Sequence, residues 1–151
     1  MPSHIFTRLG LWDRSMSSNH DSTASAAEYT VSANLSGHYD EGLHSIDYLM
    51  YAMLQTAHDQ EAQDLLHRLR AIEKTNHDNF KVAYTYAASP ARYVLERHQW
   101  REASQATLEP KTFPWQEFGW VRSIIHFTRG IGTARSDQLT DAKRELPKFS
   151  R

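Results

Sequence analysis

The chain has 151 residues, of which 40% are hydrophobic and 23% charged. That length and balance fit one globular domain with its own core and exclude a wholly disordered chain. The formal net charge of -1 gives no global electrostatic basis for binding nucleic acid or an acidic membrane surface, and the lack of cysteine excludes disulfides and thiolate chemistry.

Charge is split along the chain. Residues 1–75 carry 5 basic and 10 acidic side chains, and residues 76–151 carry 12 and 8, giving -5 and +4. The first residues, Met1-Pro2-Ser3-His4-Ile5-Phe6-Thr7-Arg8, lack the charged-then-apolar form of a signal peptide. No run of about 18 apolar residues occurs. A cytoplasmic setting without membrane contact is the expectation.

In chain order, Gly10 separates a short first helix from a second that starts near Trp12 and ends at Asn34-Leu35-Ser36-Gly37. Leu43, Ile46, Met50, Met53 and Ala57 then fall at spacings of three and four, the stripe of an amphipathic helix. His58-Asp59 marks a tight turn into a second stripe, Ala62, Leu65, Leu66, Leu69 and Ile72. Thr75 is the expected N-cap of the next helix, whose stripe is Phe80, Ala83, Ala87, Ala91 and Val94. That stripe passes through Ser89-Pro90, which predicts one kinked helix. Pro110 and Pro114 bracket the clearest loop. Trp115 and Trp120 are expected to open the last long helix as core residues, with Phe118, Val121, Ile125 and Thr128 as its stripe. Ser136-Asp137 makes another turn. Pro147 is expected to stop the last helix, leaving residues 1–147 as one domain and 148–151 as a frayed tail. With no alternating apolar and polar run and no Asn-Gly or Asp-Gly hairpin signal, the fold class is all-α.

The turns repeat. Gly10, Trp12 and Ser15 stand at offsets of two and five, and Ala57-Asp59-Ala62, His98-Trp100-Ala103 and Asp137-Leu139-Ala142 share them. Four residues before each triplet stand Phe6, Met53, Val94 and Thr133. The small third residue permits close packing of two helices. This pattern resembles the tetratricopeptide repeat, in which a helix pair is joined at a turn of form small-x-aromatic-x-x-Ala. Gly10-Leu11-Trp12-Asp13 and Arg97-His98-Gln99-Trp100-Arg101-Glu102-Ala103 are most similar to it, and Gly130 fits the small position in the first helix of a pair. The copies lie 47, 41 and 39 residues apart, longer than the usual repeat of about 34. Met1-Pro2-Ser3-His4-Ile5-Phe6 with Arg8-Leu9-Gly10-Leu11-Trp12-Asp13, and Pro90-Ala91-Arg92-Tyr93 with Glu96-Arg97 and Trp100, also resemble stretches of a bacterial group of tetratricopeptide proteins. In that group the region lies near the C-terminal end of longer chains. The resemblance implies about eight helices in four antiparallel pairs, stacked as a right-handed array, and a role in binding and assembly.

In such an array the first helix of each pair lines an inner groove. On the helix from Asp40 to Thr56, His44, Asp47, Tyr48, Tyr51 and Gln55 form a face off the core stripe. The equivalent face is His4 and Arg8 on the preceding first helix, and Thr85, Arg92 and Glu96 on the following one. Tyrosine supplies apolar area with a polar tip, and His, Asp and Gln supply hydrogen bonds, a set suited to a peptide or a small polar ligand. The expected function is a non-catalytic scaffold for a protein or peptide, without a cofactor.

The alternative is a metal-dependent hydrolase or small-molecule enzyme using His4, His38, His44 and Asp47, a His/Asp set suited to zinc or iron. No HExxH motif, Gly-x-Ser-x-Gly turn or phosphate-cradling glycine loop supports catalysis. Arg8, Arg92, Arg129 and Arg135 are interleaved with acids, which argues against nucleic acid. Ile5, Phe6, Leu9 and Leu11 lie in a thin first layer and predict a homodimer through the N-terminal end, while the charged last helix is expected to cap the other end.

Overall fold

The computed structural model describes residues 2–149, the side chain of residue 149 excepted. The described residues are all-helical: α1 (Pro2–Arg8), α2 (Trp12–Ser32), α3 (Asp40–Gln55), α4 (Asp59–Arg70), α5 (Phe80–Glu96), α6 (Trp100–Ser104), α7 (Arg122–Arg135) and α8 (Leu139–Phe149), with a 3-10 segment, Trp115–Val121, before α7. Among them there is no strand, and a single parallel bridge joins His38 to Thr75.

The four sequence triplets mark four copies of one turn. Their first members, Gly10, Ala57, His98 and Asp137, all sit in the left-handed region, at φ 68°, 57°, 54° and 59°. The amide after each bonds back across it: Leu11 to the Phe6 carbonyl (2.8 Å), His58 to Met53 (3.0 Å), Gln99 to Val94 (2.8 Å) and Gln138 to Thr133 (2.8 Å). A left-handed residue just past a helix end lets the next amide satisfy one of the orphan carbonyls. The second member of each triplet is the first residue of the following helix. The third donates its amide to the residue between the first two: Ser15 to Leu11, Ala62 to His58, Ala103 to Gln99 and Ala142 to Gln138, at 2.8–3.0 Å. Ser15, Ala62 and Ala103 are completely buried, so a larger side chain there would push the paired helices apart.

These turns make four pairs, α1/α2, α3/α4, α5/α6 and α7/α8. Contacts between helices run within a pair or to the next pair along the chain. The core lies between α3, α4 and α5, where Leu43, Leu49, Met50, Leu65, Leu69 and Val82 are fully buried. Each such aliphatic side chain contributes roughly 1.5–3 kcal/mol by leaving water. The α6 helix has five residues. The chain after it forms a loop that returns Phe113 and Trp115 to the core against Tyr86, with the Trp115 indole donating to the Pro110 carbonyl at 2.8 Å.

Several local expectations change. Asn79, not Thr75, caps α5: its side chain accepts from the amides of Lys81 and Val82. Thr75 is buried beside the bridge to His38, and its hydroxyl donates to Asp78. Ala57 is exposed because it is the left-handed residue itself, and Phe80 is exposed in the first turn of α5. The helix α5 does run unbroken through Pro90. Trp115 and Trp120 lie in the 3-10 segment; Trp115 is buried, while Trp120 is 42% exposed. Pro147 does not stop α8, which continues through Lys148 and Phe149; Lys148 pairs with Glu145. The rest of the expected tail, residues 150 and 151, lies outside the described residues. The α8 cap is imperfect, since Leu139 and Leu146 are exposed.

Close approach falls at Gly132, not at Gly130. A Cβ on Gly132 would lie 2.3 Å from the Ser104 amide nitrogen and 2.8 Å from the Ala103 Cβ, whereas one on Gly130 would make ordinary contact with Glu145 at 3.7 Å. The third triplet residue, Ala103, and Gly132 together therefore let α6 and α7 touch. Gly132→Ala should destabilise the fold by about 1–3 kcal/mol through overpacking, and Gly130→Ala by far less. Urea midpoints of the two variants check this; equal effects would contradict it.

Candidate binding groove

The first helices of three pairs converge. A row on α5, Lys81, Thr85, Ser89 and Arg92, has helical spacing and faces α3. Lys81 pairs with Asp40 at 3.0 Å and with Glu41. The Thr85 hydroxyl donates to the Leu43 carbonyl at 3.1 Å. Asp47 accepts from the Ser89 hydroxyl at 3.3 Å and the Arg92 guanidinium at 2.8 Å. Asn79 ties the start of α5 to that of α3 by donating to Asp40 at 2.7 Å. Thr85 and Ser89 are buried in this seam, whereas Lys81, Asp47 and Arg92 reach from it into an open groove. Apolar side chains would leave Asp47 and Arg92 without partners, at a cost of several kcal/mol for a part-buried charge.

The α1 helix forms the opposite wall. The His4 ring stacks on Tyr48 (centroids 4.3 Å apart, 19° between planes), and its Nε2 lies 3.1 Å from the Nε2 of His44. A bond between two such nitrogens needs one bare and one protonated. Burial pushes the His4 imidazole below its ordinary value near 6.5, and the charges of His44 and Arg8 act in the same direction. Trp12 meets Tyr51 edge-on at 5.6 Å, and the Arg92 guanidinium sits 5.1 Å from the centre of the Tyr51 ring.

The resulting cavity has a volume of about 400 Å³. Its walls come from His4 and Arg8 on α1, from His44, Asp47, Tyr48 and Tyr51 on α3, and from Phe80, Lys81, Tyr84 and Arg92 on α5. Its hydrogen-bonding balance is lopsided. Asp47 is engaged by Ser89 and Arg92. The Arg8 guanidinium and the hydroxyls of Tyr48, Tyr51 and Tyr84 have no hydrogen-bond partner among the described residues. The groove therefore offers one unpaired cation, three hydroxyls that can each donate or accept, and aromatic rings.

Seven of the ten residues expected from the sequence line this cavity: His4, Arg8, His44, Asp47, Tyr48, Tyr51 and Arg92. Gln55 and Glu96 are exposed outside it. Thr85 is buried in the seam. His38 is not brought to His4, His44 and Asp47; it lines another cavity, between α2, α3 and α4. No three His, Asp or Glu side chains among the described residues are grouped to hold a metal ion. Sequence reasoning missed Phe80, Lys81 and Tyr84. The signal was the second face of α5, readable once its start is placed after Asn79. A further cavity, about 350 Å³, lies between α4, α5, α7 and the loop after α6 and is mostly apolar.

The His4 contact makes stability pH-dependent. Its folded value lies below the unfolded one, so the unfolded chain takes up the proton first. Stability should fall as pH drops from about 7 through the lowered value, before the carboxylates titrate. His4→Gln should flatten that slope in a plot of Tm against pH, and an unchanged slope would contradict the assignment.

Comparison with known proteins finds no family model, no curated protein and no solved structure that matches the chain.

Proposed function

We propose that the chain is a non-catalytic binding module of tetratricopeptide type, its four pairs stacked as a right-handed array, which holds a peptide segment of a partner protein in the groove between α1, α3 and α5. The reading is supported by the fourfold turn and by the restriction of helix contacts to neighbouring pairs, the habit of repeat arrays. The observation that carries it is the unpaired Arg8 guanidinium, set among the free hydroxyls of Tyr48, Tyr51 and Tyr84 and beside an Asp47 already paired with Arg92. A ligand that complements this surface has a carboxylate side chain for Arg8 and an extended backbone, whose free amides and carbonyls can exchange hydrogen bonds with the hydroxyls. The tyrosine rings supply contact area at small entropic cost. The cytoplasm is the proposed setting.

A panel of fluorescein-labelled octapeptides, acidic, neutral and basic, tests this by polarisation. Acidic peptides should bind most tightly, and Arg8→Ala should weaken them about tenfold or more, the usual worth of a hydrogen bond to a charged group. Arg8 holds no other side chain, so the fold should be unaffected. Equal binding of all three classes, or no response to Arg8→Ala, would overturn the reading.

The same end of the molecule is proposed to self-associate. Ile5 and Leu9 are 61% and 66% exposed, and Leu11 lies beside them. A symmetric contact through α1 would bury them in both copies. Light scattering should give twice 17.5 kDa at micromolar concentration, reduced to the monomer by Leu9→Asp; a monomer for the unaltered chain would contradict it.

A further inference from the structure

At the α5 end of the groove three aromatic rings lie nearly parallel. Phe80 stacks on Trp120 with centroids 4.8 Å apart and 25° between planes. Tyr84 is tilted from Phe80 by 13° and from Trp120 by 20°, at 6.2 and 6.5 Å. The stack joins α5 to the 3-10 segment, yet it leaves Phe80 62% and Trp120 42% exposed. Phe80 and Tyr84 also line the groove, with Lys81 between them. Phe80 and Tyr84 thus make the shelf continuous with the cavity.

We propose that this Phe80–Tyr84–Trp120 shelf is a second subsite of the groove, which takes an aromatic side chain of the bound acidic peptide. The inference rests on the peptide-binding reading above. A planar array of rings makes its largest contact with another planar group in offset stacking, and an aliphatic chain would cover less of it. Protein is favoured over single-stranded nucleic acid by the charges. Lys81 is held by Asp40 and Glu41, and Arg92 by Asp47, so the two cations that α5 places beside the shelf are already paired and not free to follow a phosphate backbone.

Two small probes separate the subsites in proton–nitrogen spectra of the labelled full chain. N-acetylphenylalanine methylamide should shift the Trp120 indole signal and the amides near Phe80 and Tyr84. Phe80→Ala, at an exposed position, should weaken that response about three- to tenfold. N-acetylaspartate methylamide should instead shift signals around Arg8 and Tyr51. The shelf is overturned if the phenylalanine probe leaves Trp120 unmoved, or acts equally on other exposed apolar side chains such as Val31 and Leu146. It is also overturned if an oligothymidine moves Trp120 and Arg8 together at lower concentration than either probe. Aromatic shifts without aspartate shifts would leave the shelf standing as an aromatic site and remove the acidic-peptide reading of the groove.

Discussion

One backbone hydrogen bond, made at the turn inside each of the four helix pairs, organises this molecule. An amide reaches across a left-handed residue to a carbonyl of the preceding helix, and the next helix starts one residue later. The helix end is closed and the direction of the next helix is fixed by the same few atoms. Because the geometry recurs, each of the four pairs is closed in the same way. The first helices α1, α3 and α5 can then lie side by side, with α3 touching both of the others. Three of these four left-handed residues are not glycine, and Asn34 at the end of α2 is a further left-handed residue. Each pays a steric cost of roughly 1–2 kcal/mol, offset by the satisfied carbonyl and, after Ala57 and His98, by the burial of Ala62 and Ala103.

Packing between the pairs is unequal in character. The interface of α3 with α4 and α5 carries the aliphatic core, while α1 meets α2 through Ser3, Thr7, Ser15 and Asn19. In that polar layer the Thr7 and Ser15 hydroxyls bond at 2.8 Å, and Ser3 Oγ and Asn19 Oδ1 have no partner. Buried atoms left unsatisfied weaken a contact. The wall of the groove contributed by α1 is tied to α3 by His4 on Tyr48 and His44. At the other end Glu145, buried on α8, gathers His126, Arg129 and Lys148. Burial disfavours its charge, but these three partners hold its carboxyl below the ordinary value. The two ends of the chain thus depend on polar contacts and the middle on apolar ones.

How much of this was legible in the sequence follows from range. The turns were readable because their signal is local: two offsets and a small residue recur at Gly10, Ala57, His98 and Asp137. The face His44–Asp47–Tyr48–Tyr51 was readable because the core stripe of α3 is dense enough to define what lies off it. Thr75 and Asn79 are both good caps four residues apart, and the choice was made by a distant contact: Thr75 is engaged in the bridge to His38. The exposure of Phe80 and Trp120 and the burial of Trp115 depend on how the loop after α6 returns to Tyr86, which no periodicity encodes. Gly130 and Gly132 both suit a helix contact, and only the position of α6 decides between them. His38 has the chemistry of a ligand but lies on a linker leading elsewhere.

The account stands on the left-handed turns, and glycine substitution reads them most directly. Ala57 has no side-chain bond to lose, and Asp137 none among the described residues, whereas His98 stacks on Trp100 and so mixes two effects. Denaturant midpoints should rise for Ala57→Gly and for Asp137→Gly, each by about 0.5–1 kcal/mol, as glycine relieves the left-handed strain. If either variant instead loses the roughly 0.5–1 kcal/mol that glycine costs within an ordinary helix, the chain does not make these turns and the groove they position does not form as described.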